Sequence, residues 1–321
     1  MNGPLATNAN PKTSGASLAA RPKVVYIAGW GRSGSTLLER LLGEIAGFVP
    51  VGELNLISRP NWARWQCGCG ARTSECAFWL AVLETAFGDD WAGALKDLDA
   101  RHRAVVRHRN LWALLRSRRS SALDASLTAY GEAAAALYRA ILAVSGGRVV
   151  VDESKLGIEA IALARSGQVD LRVVHLVRDP RAVAHSWQRQ RPRAYGQAGS
   201  LKKVGVVRST LEWSVRNVAA EQARRVAPYL RVRYEDLVGD PAAVLTTIAD
   251  LAREPASLGF LDGRTATLGP SHAFAGNPML GERGTISIRQ DDEWRRAMPR
   301  TRRALVLGLS WPVHLRYRSR S

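Results

Sequence analysis

Residues 24–36 read VVYIAGWGRSGST, and this stretch decides the fold class. Residues 24–28 form a continuous apolar run, which is typical of a strand buried on both faces. Glycine-rich residues 29–34 follow, and leucines then recur with helical spacing as far as Leu42. We therefore predict a buried parallel strand, a glycine turn and a helix. Backbone amides and a helix dipole meet in such a turn, so it is a ready site for phosphate.

Three further segments repeat this order of strand, loop and helix. Apolar runs at residues 149–151, 171–177 and 230–234 each precede a helical pattern, and two of these helices start at Pro180 and Pro241. Proline is tolerated in the first turn of a helix. Alternation of strands and helices predicts an α/β protein with a P-loop-like three-layer fold, in which helices cover both faces of a central parallel sheet.

The residue pattern of the chain changes between about residues 80 and 147. The strand signal disappears there, and residues 101–119 carry seven arginines. We interpret this segment as a helical insertion whose cationic face is solvated or serves acceptor or membrane-surface recognition. Residues 1–22 are small and polar without periodicity, which predicts a disordered leader. Residues 23–321 are predicted to form a single domain with this insertion.

Composition excludes several classes of protein. With 46% hydrophobic and 23% charged residues, the chain is not wholly disordered, collagenous or a disulfide scaffold. The formal net charge of +18 calls for a polyanion, a membrane surface or an anionic ligand as partner. The 46 basic residues comprise 40 Arg and 6 Lys, a bias that genomic base composition also explains. Both explanations remain open at this point.

Targeting signals are not recognisable in the sequence. No uncharged stretch has both the length and the apolarity of a membrane span, and residues 1–20 lack the basic start and apolar core of a secretory signal. Cys67, Cys69 and Cys76 are the three cysteines, which fits a reducing compartment without a disulfide framework. We expect a cytoplasmic protein, with peripheral contact to an anionic membrane left open.

A second motif follows the strand at residues 171–177. Arg178 leaves the end of this strand, and Ser186 lies about two turns into the next helix. Together they offer a guanidinium fork and a hydroxyl to a second phosphate. The first loop departs from the nucleoside triphosphate motif G-x-x-x-x-G-K-[ST], because Ser35 stands in place of the lysine. A kinase or ATPase function is therefore an alternative, although the lysine with which such enzymes contact the nucleotide phosphates is missing here.

Together the two motifs resemble the nucleotide site of sulfotransferases that use 3'-phosphoadenosine 5'-phosphosulfate (PAPS). Arg178 and Ser186 resemble the family's 3'-phosphate pair. The resemblance spans about residues 23–300 and implies that PAPS is the sulfuryl donor. The other residues it assigns to nucleotide binding are those of the 5'-phosphosulfate loop and of two later motifs: Arg32, Ser33, Gly34, Ser35, Thr36, Tyr234 within RYEDL, and Arg283-Gly284, with Trp294 following.

The sequence departs from the cytosolic branch of that family, which has lysine in the loop and a histidine base. Here the loop has Arg32, and residues 152–155 contain no histidine. The chain instead resembles the arginine-loop branch of bacterial, carbohydrate and tyrosylprotein enzymes. In the tyrosylprotein enzymes a Gly-Glu pair follows that arginine at a similar distance in the sequence, as Gly52-Glu53 does here. Glu53 fits that place and is implied as general base; a plain surface carboxylate is the alternative.

The implied chemistry is in-line displacement of a sulfuryl group, assisted by charge neutralisation. Arg32 and Lys155 are expected to stabilise the leaving phosphate; for Lys155 a structural ion pair with Asp152 or Glu153 is the alternative. No metal is expected for this reaction. Asp152 and Glu153 are also the next candidates for the base if it is not Glu53.

The cysteine segment CGCGARTSEC offers three thiols close together, whereas a closed zinc site needs four ligands. His102 or His108 is considered as the fourth ligand. Packed or redox-responsive thiols are the favoured interpretation, and no metal site is assigned.

The acceptor is not encoded in a readable motif. A sugar, a glycolipid, a hydroxylated metabolite and a peptide tyrosine all remain open, with a sugar or lipid-linked acceptor favoured. The competing class is a polyanion-binding or nucleic-acid-binding protein, which the net charge of +18 suggests. Its basic residues are scattered and carry no helix-turn-helix or base-stacking motif, so no specific nucleic acid is expected as partner.

Overall fold

A computed structural model describes residues 20–116, 119–189, 203–275 and 277–318. Residues 1–19 of the predicted leader lie outside the described residues. The leader and the single domain over residues 23–321 therefore remain predictions.

Five parallel strands form the central sheet, in the spatial order β2-β3-β1-β4-β5. Their bounds are β1 Lys23–Gly29, β2 Phe48–Gly52, β3 Val149–Lys155, β4 Asp170–Val177 and β5 Tyr229–Arg233. The predicted fold class is confirmed, as are the strands that the apolar runs indicated. Strand β2 was not predicted, because Pro50 interrupts its short apolar run. The structure places β2 at the edge of the sheet, where a missing ladder donor is tolerated.

Helices cover both faces of this sheet. The α-helices are α1 Ser35–Leu42, α2 Ala77–Phe87, α3 Trp91–Val105, α4 Leu111–Leu115, α5 Ser121–Ser145, α6 Gly157–Ser166, α7 Pro180–Gln188, α8 Val206–Glu221, α9 Tyr234–Gly239, α10 Pro241–Ala252, α11 Trp294–Ala297 and α12 Arg300–Arg318. Pro180 and Pro241 occupy first-turn positions as predicted. No helix in the described ranges is both long and apolar enough to cross a membrane.

Alternate residues of β1 enter two separate cores, as the two-residue period of a strand requires. Val24 and Tyr26 pack in a core with residues of α2, α5 and α6. Val25 and Ile27 pack in a second core with residues of α1, α9 and α10. Both faces of the sheet are therefore buried, which explains the uninterrupted apolar run of residues 24–28.

Helices α2 to α5 lie between β2 and β3, in the segment where a helical insertion was predicted. After α10 the chain forms a small antiparallel sheet of β6 Leu261–Asp262, β7 Thr265–Leu268 and β8 Gly284–Ser287. This sheet was not predicted, since its strands are two to four residues long and mostly polar. It packs beside α1 and supplies Ala266 and Leu268 to the second core.

Candidate active site

Four strands bring the predicted site residues to one edge of the sheet. In a parallel sheet the carboxyl ends of all strands lie at the same edge, which is where α/β proteins bind ligands. The phosphate loop follows β1, Glu53 follows β2, Lys155 ends β3 and Arg178 follows β4. Register places Gly52 beside Asp152 and Ala28 beside Lys155.

The backbone conformation of the phosphate loop, residues 29–36, is determined by its residue types and by the side chains packed against it. Arg32 and Gly34 both have positive φ, of 71° and 96°. A Cβ on Gly34 would lie 2.6 Å from the Tyr234 ring, so both conformation and space require glycine there. The Tyr234 hydroxyl accepts a hydrogen bond from the Asp291 amide at 3.3 Å, which holds the ring in place. The Tyr234 ring therefore packs against Gly34 and supports the phosphate loop.

The start of α1 offers backbone hydrogen-bond donors to a ligand. Gly34 caps the helix and offers no side-chain acceptor to it. The Leu38 amide donates the first intrahelical hydrogen bond, to the Gly34 carbonyl, so the amides of residues 35–37 have no intrahelical acceptor and a phosphate is a suitable partner for them. Ser33 Oγ is also buried and has no hydrogen-bond partner among the described residues. These donors fit an anionic phosphate or phosphosulfate group.

The hydroxyls of Ser35 and Thr36 both contact a buried carboxylate. Thr36 Oγ1 donates to Glu153 Oε1 at 3.1 Å, and the Ser35 hydroxyl binds the same carboxylate. They tie the start of α1 to β3. The assignment of these two residues to nucleotide binding remains a prediction.

Lys155 lies between two carboxylates. Its Nζ is 2.8 Å from Glu53 Oε1 and 3.6 Å from Glu153 Oε1. Burial alone would lower the pKa of Lys155, but Glu153 and Glu53 together raise it above its usual value. The ammonium therefore stays charged at neutral pH. Of the two structural partners considered from the sequence, Glu153 is in contact with Lys155.

Three carboxylates near Lys155 differ in their access to solvent. The Glu53 side chain is 26% exposed, whereas Glu153 is fully buried and Asp152 is 1% exposed. Asp152 accepts hydrogen bonds from Tyr138 Oη at 2.7 Å and from the Ser154 amide at 2.8 Å. Burial raises the pKa of Asp152 to about 7. Glu53 is thus the carboxylate of this group that a substrate from solvent can reach.

Arg178 joins the two predicted phosphate motifs. Its Nη1 donates to the Arg32 carbonyl at 3.2 Å, and its Nη2 donates to the Asp291 carbonyl at 2.7 Å. The guanidinium lies over the Tyr234 ring at 4.2 Å from the centroid. Ser186 is buried on α7, the helix that follows Arg178. The second motif is therefore beside the first loop.

The sequence reasoning missed two residues around the loop. Arg32 lies over the Trp187 ring at 5.2 Å, and Trp187 packs on Trp30 with centroids 5.4 Å apart. Asp291 pairs with both Arg178 and Arg189, and this lowers its pKa although burial acts in the opposite direction. Trp187 was detectable as an aromatic neighbour of Ser186, whereas nothing in the sequence around Asp291 indicated its partner.

Arg283 and Gly284 are placed differently from the other predicted nucleotide residues. Arg283 donates to the Gly68 carbonyl at 3.1 Å, and Gly284 begins β8 with φ of 77°. The described hydrogen bond of Arg283 thus joins it to the cysteine segment and not to the phosphate loop. Its assignment to nucleotide binding remains a prediction.

The phosphate loop after β1, Lys155 at the end of the neighbouring β3 and Glu53 after β2 thus meet at one edge of the sheet. Residues 22–257 match the sulfotransferase family, and the chain belongs to that family. The family that the motifs resembled is thereby confirmed.

Known relatives agree with this assignment. Human carbohydrate sulfotransferase 2 is 34% identical over a stretch that covers 27% of this chain and about a quarter (24%) of that protein. The sulfotransferase domain from the curacin biosynthetic pathway has a TM-score of 0.52 at 19% identity, covering 92% of this chain and 98% of that one. The sulfotransferase domain of the Synechococcus PCC 7002 olefin synthase has a TM-score of 0.50 at 22% identity, covering 91% and 95%. At these identities the two structures support the fold.

We expect Arg178→Ala to weaken binding of adenosine 3',5'-bisphosphate. Loss of a charged hydrogen-bonding group at a phosphate typically costs about 1.5–3 kcal/mol, or roughly 10 to 150-fold in affinity. Isothermal titration calorimetry measures the effect, with exposed Arg109→Ala as the matched control. Unchanged affinity in a folded Arg178 variant would remove this residue from the nucleotide site.

Proposed function

We propose that the protein transfers the sulfuryl group of PAPS to a hydroxyl acceptor by in-line displacement, with Glu53 as general base. The observation that carries this proposal is the 2.8 Å contact between Glu53 and Lys155 beside the phosphate loop. These two residues, which the family resemblance assigns to acid-base and leaving-group roles, are far apart in the sequence and lie together at the carboxyl edge of the sheet.

The nucleotide would be held by the loop and the second motif. The amides of residues 33–37 and Ser33 Oγ are donors for the 5'-phosphosulfate end, and Arg32 adds a positive charge. Arg178 and Ser186 are the proposed contacts for the 3'-phosphate. When bound, PAPS supplies an activated sulfuryl group.

Lys155 is suited to neutralise charge that develops on the leaving phosphate. Its ammonium is already charged, and it is held by two carboxylates, so it can move away from Glu53 and keep Glu153 as a partner. A preorganised cation in a largely buried place stabilises negative charge more strongly than one in water.

Glu53 is then free to act on the acceptor. Its carboxylate takes the proton of the acceptor hydroxyl as the new oxygen–sulfur bond forms and the bond from sulfur to the phosphate oxygen breaks. Solvent access favours Glu53 over Asp152 and Glu153, which are both buried and held by other groups. The chemistry needs no metal at the reacting atoms.

The acceptor class is proposed from the name of the human relative. A carbohydrate sulfotransferase acts on sugars, which favours a sugar or glycolipid hydroxyl here over a metabolite or a peptide tyrosine. The match covers about a quarter of that protein, so the acceptor is best identified directly. Mass spectrometry of sulfated metabolites, with and without this protein, provides the identification.

We expect adenosine 3',5'-bisphosphate to raise the melting temperature more than AMP or magnesium-ATP does. The reason is that the two proposed phosphate sites lie on separate motifs, and a ligand that binds both of them binds only the folded protein. A ligand at a hundredfold excess over its Kd adds about 2.7 kcal/mol of stability. Differential scanning fluorimetry without magnesium measures the shift.

Two results would overturn this prediction. An equal or larger shift with magnesium-ATP would favour a kinase. Displacement of the bisphosphate by a mixed-sequence oligonucleotide at physiological salt would favour the polyanion-binding alternative.

A further inference from the structure

The three cysteines meet a histidine that is distant in the sequence. Cys67, Cys69 and Cys76 lie in the loop before α2, and His272 comes from the segment after β7. One ligand atom from each, three Sγ and one imidazole nitrogen, lies within 4.8 Å of the other three. His272 Nδ1 is 3.4 Å from Cys76 Sγ and 3.6 Å from Cys67 Sγ.

We propose that these four side chains form a structural zinc site of the Cys₃His type. Tetrahedral zinc has Zn–S bonds of about 2.3 Å and Zn–N bonds of about 2.0–2.1 Å, which places two sulfurs about 3.8 Å apart and a sulfur and a nitrogen about 3.5 Å apart. Cys76 Sγ is 3.7 Å from both Cys67 Sγ and Cys69 Sγ. Four of the six separations among these atoms therefore match those that one zinc ion would impose, and the other two are within 4.8 Å.

Neighbouring groups are arranged as in a thiolate site. The amides of Cys69, Ala71 and Trp79 hydrogen bond to the thiols of Cys67, Cys69 and Cys76, respectively. Such N–H donors stabilise metal-bound thiolates. Cys67 and Cys76 are buried, whereas Cys69 and His272 are partly exposed.

Packing also fixes the histidine. The Phe78 ring stacks on the His272 imidazole with centroids 4.5 Å apart, and Trp79 Nε1 donates to the His272 carbonyl at 2.8 Å. Outer groups that set ring orientation are a regular feature of metal-bound histidines.

The histidines considered from the sequence are elsewhere. His102 Nε2 is 3.5 Å from Glu159 Oε1 in a buried polar cluster with Tyr130. His108 is exposed in the insertion. No metal site was assigned from the sequence because the cysteine segment supplies three ligands, and His272 provides a fourth.

The site would fasten two segments that flank the catalytic carboxylate. Phe274, two residues after His272, forms isolated bridges with both Cys67 and Gly52. Its carbonyl accepts the Glu53 amide at 3.2 Å. A zinc ion would thus hold the loop that supports the Glu53 backbone. This last step rests on the proposed function, whereas zinc content does not.

Metal analysis of the purified full chain tests the site. After expression in zinc-supplemented medium and desalting, inductively coupled plasma mass spectrometry is expected to find roughly one zinc ion per chain. Cys69→Ser and His272→Asn should each lower that content at least about tenfold, and His108→Asn should retain it. The cobalt-substituted protein should show the visible absorption of a tetrahedral thiolate complex.

Wild-type protein without metal, whose three thiols all react with a thiol reagent on unfolding, would overturn the proposal. An intramolecular disulfide found by mass spectrometry would do the same and would favour redox-responsive thiols. The metal content of the wild type decides the matter even if the variants do not fold. Bisphosphate binding, measured on the same samples, reports separately on the proposed function.

Discussion

Glu53→Gln is expected to lower turnover by about 10² to 10⁴-fold, the usual contribution of a general base. The amide keeps the shape of the side chain but cannot accept the acceptor's proton. Nucleotide affinity should stay nearly intact, because Lys155 keeps Glu153 as a partner and the phosphate loop does not depend on Glu53. Single-turnover transfer of labelled sulfate to the identified acceptor measures the chemical step.

Glu132→Gln is the matched control, since Glu132 is exposed on α5. It should retain wild-type turnover. If Glu53→Gln keeps most activity with the true acceptor, then the base lies elsewhere, and Asp152 and Glu153 become the next residues to change. The resemblance to the arginine-loop branch would then end at the nucleotide site.

Lys155→Met is expected to slow transfer by about 10² to 10³-fold, as is typical when one preorganised charge-stabilising donor is removed. The effect should fall on kcat, because the cation acts on charge that develops as the leaving bond breaks. The same change leaves the buried Glu153 without its cation, so the free energy of unfolding is measured alongside turnover. Lys155→Arg keeps the charge and should recover part of the rate.

Lys96→Met, at an exposed position of α3, is the control and should be neutral. The double variant of Glu53 and Lys155 gives a sharper comparison. Residues that contact each other and act on one step are not additive, so the double variant should lose less than the product of the two single losses. Full additivity would mean that the contact between them has no part in the reaction.

The local sequence was sufficient to predict the phosphate loop and strand β1, which precedes it. The apolar run of residues 24–28 fixes a strand buried on both faces, and the glycines after it fix a turn that L side chains rarely adopt. The Arg-Asp-Pro start of α7 was equally readable, because Asp179 caps the helix and Pro180 begins it. These features depend on interactions between residues that are close together in the chain, so they can be predicted from the local sequence.

Contacts between residues that are far apart in the chain were revealed only by the tertiary structure. Strand β2 was hidden by Pro50, so nothing in the sequence placed Glu53 beside the end of β3 and within 2.8 Å of Lys155. His272 lies 196 residues after Cys76 and carries no metal-ligand spacing. It reaches the cysteines because the small sheet returns the chain to the edge of β2. Such pairs arise when strands and loops pack in three dimensions, and contact between them leaves no local pattern in the sequence.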